Sequence, residues 1–318
     1  MAGASRAFRW AWTLVAFVGL TLIGSGLAAI TIAATTKMLP PDVRFLGMDA
    51  PALCAHHDCR IVQFMVHDRV AFGGSIIATG IIYVWLASAP LRGGFPWAWW
   101  TLAISGTLGF ASFLTYLGRG YLDPWHGLAT ALLLPVFLAG MAGTFPTLRR
   151  PAGAATLLAV GTPAGISSRI GIGRVCMLFA AFGMISGGLT IMGVGMTTVF
   201  VPQDLDYIGL SAADLNAISP NLVALIAHDR AGFGGGLCSG GLAILGSVWC
   251  GLAPGDRWLW CALLAAGIVG FTTAIGIHFL IGYTDFLHLL PAYFGALVFG
   301  TGSALLWRPM SRRDSNRP

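Results

Sequence analysis

Glutamate is absent from this 318-residue chain, and charged residues of every kind make up only 9% of it. A soluble domain carries about a quarter charged residues, so this supply excludes an ordinary water-facing surface. The chain is instead 56% hydrophobic, with a mean hydropathy of +0.79. Near-continuous apolar runs of about 20 residues, the length that crosses a bilayer, fall at 13–35, 67–89, 97–118, 124–145, 175–200, 229–252, 258–281 and 286–307. Lipid offers bare backbone no partner, so each run is expected to be helical. The first run follows Arg6 and Arg9 as a signal peptide would, but its length and its counterpart at 175–200 argue for a retained helix.

The net charge of +6 would suit nucleic acid if it were gathered on one surface. It is spread between loops instead. With eight spans, twelve basic residues fall on the side of the termini and six on the other, which places both termini in the cytoplasm of a cell-membrane protein. Ten of the twelve aspartates and all seven histidines lie on the outer side or in the outer half of a helix. Polar chemistry is therefore expected at the outer face, with the bilayer as partner and no role for nucleic acid.

The chain also repeats itself. "HDRVAFGG" at 67–74 returns as "HDRAGFGG" at 228–235, and "GYLDPWH" at 120–126 as "GYTDFLH" at 282–288. "RFLGM" at 44–48 returns loosely as "DYIGL" at 206–210, and the offset stays at 161 or 162. Each copy holds an even number of spans, so both sit the same way up. The expected fold is all-α integral membrane, with eight transmembrane helices as two tandem parallel four-helix bundles. Residues 1–145 form the first repeat, 146–173 a cytoplasmic linker and 174–318 the second repeat.

In each repeat one histidine heads the second helix (His67, His228) and another heads the fourth (His126, His288). Facing imidazoles from two helices of a bundle are how a bis-histidine heme is held. Stripes of small residues below them, such as Ala71, Gly74 and Ala78 or Ala231, Gly232 and Gly235, give clearance for a porphyrin edge or for close helix packing. Asp123 and Asp285 are expected to cap the fourth helices. Arg69 and Arg230, two residues beyond their histidines, are placed to pair with Asp68 and Asp229 or to meet heme propionates. Cys54 and Cys59 lie in the first outer loop, "CAHHDC", as a disulfide, a soft metal site with His56 and His57, or a redox pair. His278 breaks the symmetry, since Tyr116 stands at its position in the first half.

This layout resembles the heme A synthase family, eight-helix membrane proteins made of two four-helix bundles with histidines on the second and fourth helix of each. The resemblance implies heme at His67 with His126 and at His228 with His288, and makes Cys54 and Cys59 the loop pair of some members. The chain departs from that pattern in having no glutamate ahead of His67 and in placing Asp68 before Arg69. The leading expectation is a membrane heme protein in electron transfer or a heme- or quinone-linked oxidation, its partner a quinone or another membrane redox protein. The alternatives are a non-enzymatic carrier or assembly protein for a lipid or small molecule, and a metal-dependent membrane hydrolase using histidine and aspartate.

Overall fold

Long apolar runs with few helix breakers have one low-energy form in lipid, and the computed structural model shows it. It describes residues 10–112, 114, 120, 121 and 123–311, and among these there is no strand. Seven helices are long and apolar enough to cross a membrane: α1 (Trp12–Ala34), α4 (Arg60–Leu86), α6 (Pro124–Thr144), α7 (Arg169–Met196), α10 (Leu222–Gly251), α11 (Arg257–Ile281) and α12 (Phe286–Ser311). α5 (Pro96–Ser112) lies among them with 17 residues. The chain is thus a multi-pass helical membrane protein.

Four short helices close one end of the bundle: α2 (Pro40–Leu46), α3 (Ala50–Cys54), α8 (Pro202–Ile208) and α9 (Ala212–Ile218). The sequence builds α2 and α8 alike. Asp42 accepts from the Leu39 N–H at 2.9 Å and Asp204 from the Val201 N–H at 2.7 Å, each an N-terminal cap three residues on. Gly47 (φ +74°) and Gly209 (φ +75°) then end these helices in the left-handed region, where a side chain is disfavoured. The short helices rest on an apolar layer that includes Leu53, Phe64, Ile208, Leu225, Tyr121 and Tyr283.

That layer changes the start of the second helices. α4 and α10 begin at Arg60 and Leu222, about two turns before His67 and His228, which the sequence placed at the helix heads. Ile61, Val62, Phe64 and Met65 carry α4 upward because the short helices, not water, cover them. Both histidines are consequently buried, at 4% and 3% exposure.

The two halves interlock. α1 packs along α4 and α7 along α10, as one repeat predicts. Beyond that the partners cross over: α4 packs extensively on α11 and on α10, and α10 on α5, whereas α4 barely meets α5 and α10 barely meets α11. Two separate four-helix bundles are therefore not what these contacts describe. Small residues set the approach. A Cβ on Gly73 would strike Ile30 and the Gly26 carbonyl, one on Gly234 would lie 2.5 Å from the Gly188 carbonyl, and one on Gly74 would collide with Thr273 of α11. A Cβ on Gly235 would collide likewise with Ser112 of α5. The small-residue stripes below the histidines are thus filled by neighbouring helices.

A buried cross-linked cluster and a candidate metal centre

The crossing of helices decides which side chains meet. Arg69 of α4 reaches the other half, with Nε 2.8 Å from Asp229 Oδ2, and holds its own half through Asp42 Oδ2 at 2.9 Å and the Lys37 carbonyl at 3.0 Å. Arg230 of α10 mirrors it, reaching Asp68 at 3.4 Å, Asp204 at 2.7 Å and the Val199 carbonyl at 2.8 Å. The pairing expected from the motif is therefore real but crossed. Each guanidinium ties the two halves together. Every member of these two groups has a side chain no more than 12% exposed. Buried charges at such cost persist only when paired and hydrogen-bonded.

Two tyrosines complete the pattern. Tyr121 donates to Asp42 at 2.7 Å and Tyr283 to Asp204 at 2.8 Å. Burial raises both phenols above their ordinary value, and the adjacent aspartates push them the same way, so both stay neutral donors. Asp42, Asp204, Tyr121 and Tyr283 were not singled out from sequence. The signal was present, since Pro40-Pro41-Asp42 and Pro202-Gln203-Asp204 repeat at the offset of the histidine motifs, as do Tyr121 and Tyr283.

The histidines meet across the halves too. His126 faces His228, with ring centres 5.2 Å apart, and His288 faces His67 at 6.2 Å. The expected couples His67 with His126 and His228 with His288 are thus exchanged, because each second helix packs beside the other half's third helix. Asp123 and Asp285 cap α6 and α12 as expected, accepting from the Trp125 N–H at 3.0 Å and the His288 N–H at 2.7 Å. Asp123 also lies 3.0 Å from His126 Nδ1. Burial raises the Asp123 carboxyl, but the His126 contact and the Trp125 N–H outweigh it and hold it below its ordinary value.

His278, the residue that breaks the repeat, joins the second couple. Its ring lies 4.2 Å from His67 and 5.2 Å from His288, and one nitrogen from each of the three histidines lies within 4.8 Å of the others. Two of the three outer nitrogens are engaged. His278 Nδ1 donates to the Ala274 carbonyl at 2.6 Å. His288 Nδ1 lies 3.1 Å from the Tyr283 hydroxyl, whose proton is committed to Asp204, so the imidazole is the donor. His67 Nδ1 sits 3.1 Å from Asp68 Oδ1 but makes no hydrogen bond. The rings of His278 and His288 are therefore oriented from behind, as outer-shell acceptors orient metal-ligating histidines, which leaves their Nε2 atoms uncommitted. His278 Nε2 is buried with no hydrogen-bond partner.

In the first half Tyr116, the counterpart of His278, lies outside the described residues. Cys54 and Cys59 are disulfide-bonded, in a loop whose His57 ring packs on Gly209 and whose Arg60 donates to the Tyr207 carbonyl at 3.0 Å. The strap of the first half thus lies over α8 of the second.

No known protein family, curated protein or solved structure matches this chain.

Proposed function

We propose that this chain is an eight-span membrane metalloprotein, with both termini cytoplasmic, that holds one metal ion at His67, His278 and His288 near the outer face and serves an oxidation or electron transfer there. The observation that carries the reading is the buried, unpartnered Nε2 of His278 in a group of three histidines that each bring one nitrogen within 4.8 Å of the others. An unpaired buried nitrogen costs about 1–3 kcal/mol, a loss that a metal bond removes. Local charge agrees: Arg230 faces two carboxylates, Asp68 and Asp204, so the cluster favours an added cation. Donors about 2.0–2.1 Å from a tetrahedral ion stand about 3.3 Å apart, a modest closure of the present triangle. Three protein ligands leave a fourth position open, the pattern of reactive sites and not of structural ones. An all-imidazole set suits copper, iron or zinc.

Heme is the second reading, favoured by the facing pairs His126–His228 and His67–His288. The residues around His67 do not fit a porphyrin, since one set between His67 and His288 would have to displace His278 and the helix face below is filled by Thr273.

The test is elemental analysis and an absorption spectrum of protein purified in mild detergent. One transition-metal ion per chain with no Soret band, lost in His67→Ala and kept in His126→Ala, is the expected result. A Soret band, or a metal-free protein that binds none of the three metals on loading, would overturn the reading.

A further inference from the structure

The two halves act as internal controls for each other, and four polar residues have counterparts of different chemistry. His278 corresponds to Tyr116, Tyr207 to Phe45, Gln63 to Ala224 and Lys37 to Val199. The backbone is matched at the three of these positions that are described in both halves. Lys37 (φ +64°) and Val199 (φ +67°) share a left-handed conformation and both offer their carbonyls to the arginines, and Tyr207 stacks on Tyr283 as Phe45 stacks on Tyr121. The fold therefore does not require the polar groups of Lys37, Gln63 and Tyr207. They also gather on one side of the molecule.

A groove of about 320 Å³ opens there between α1, α4 and α11. Ala34, Val66, Val70 and Ile277 form part of its apolar wall, and Lys37 and Gln63 supply its polar groups. Val66 and Ile277 directly precede His67 and His278, so the groove lies one residue along α4 and α11 from the histidine cluster. Gln63 is held in place by Tyr207, whose single hydroxyl proton is shared between Gln63 Oε1 at 2.9 Å and the Ile281 carbonyl at 3.0 Å. With its carbonyl engaged, the Gln63 side chain offers its amide N–H groups, and Lys37 offers only donors. The rest of the wall is hydrocarbon, on the lipid side of two spanning helices.

We propose that this groove binds the head ring and first tail segment of a lipid-soluble quinone, whose carbonyl oxygens accept from Gln63 and Lys37 beside the three-histidine site. The volume sits at the lower end of ligand pockets, about 300–1,000 Å³, and suits one flat ring with part of a tail. The inference rests on the metal-site reading for its chemistry, since it names the substrate class of that site. It stands apart from it in geometry, because none of the groove residues named is a ligand. A phospholipid would find the same hydrocarbon wall and the same ammonium, so the experiment includes one.

Saturable binding of tritiated decylubiquinone is measured on the full chain in nanodiscs, for the parent, Ala34→Trp and Gln63→Leu, with metal content determined on the same samples. Ala34 is exposed, so an indole there plugs the groove from the lipid side without entering the core. The expected result is a dissociation constant raised at least tenfold in both variants with metal content unchanged, and no displacement by didecanoyl phosphatidylglycerol. Absence of saturable binding in the parent, unchanged affinity in both variants, or equal displacement by the phospholipid would overturn the proposal. A metal-free parent that still binds decylubiquinone at this groove would refute the metal-site reading and spare the groove.

Discussion

Replacing Asp229 by Asn tests whether the halves are held together through their buried ion pairs. Arg69 has three acceptors, and the 2.8 Å contact to Asp229 is the only one that crosses to the other half. Side-chain exposure is 12% for Arg69 and 7% for Asp229, so water screens this pair little. Removing one partner of such a pair costs about 3–5 kcal/mol, because the other charge stays buried. Asp42 still faces Arg69 in the variant, which points to the lower end of that range. For a chain of this size the expected loss in unfolding midpoint is about 5–10 °C. Thermal unfolding in dodecyl maltoside, followed by near-UV circular dichroism, reads it directly. Asp68→Asn should cost less, since Arg230 is 3.4 Å from Asp68 and keeps Asp204 at 2.7 Å. A double-mutant cycle with Arg69→Met and Asp229→Asn isolates the pair, with an expected coupling of about 2 kcal/mol or more. Coupling below about 0.5 kcal/mol, the scale of a surface pair, would refute the reasoning.

Other consequences follow from the same contacts. Gly73→Leu drives a side chain into Ile30 and the Gly26 carbonyl and should abolish folding, while Gly24→Leu, with nothing within 4 Å of its Cβ, should leave expression and melting unchanged. Maleimide labelling of denatured, unreduced protein should modify four cysteines, rising to all six after reduction, because only Cys54 and Cys59 are bonded; six labels before reduction would contradict the strap. Asp123 has a folded value below its unfolded one, so its stabilisation is complete above about pH 4 and is lost as pH falls through the lowered value. Asp123→Asn keeps the helix cap and should flatten that acid limb of the melting profile, whereas an identical acid limb would show that the carboxylate's charge contributes nothing.

The spans were legible because a bilayer imposes a length and a composition, and α1, α6, α11 and α12 begin and end within four residues of the apolar runs. The starts of α4 and α10 were less so. Phe64 and Leu225 look like membrane residues or loop residues until the short helices that bury them are known. The motif residues themselves were readable, since a duplicated His-Asp-Arg in an apolar chain has few cheap explanations, and the capping roles of Asp123 and Asp285 follow from local sequence alone. Their partners were not. Helix crossing between halves depends on packing such as Gly74 against Thr273, a contact between residues 199 apart that no local pattern encodes. His278 illustrates the difference: the sequence marked it as odd, but only the α4–α11 contact turns it from an oddity into a third imidazole beside His67.

The most direct test of the central claim exchanges His278 for the residue at the matching sequence position of the other repeat, His278→Tyr, and counts metal ions per chain in parent and variant. The account predicts one ion in the parent and none in the variant, with the helical signal retained in both. Equal metal content in the two proteins, or a parent that neither retains nor takes up copper, iron or zinc, would contradict it.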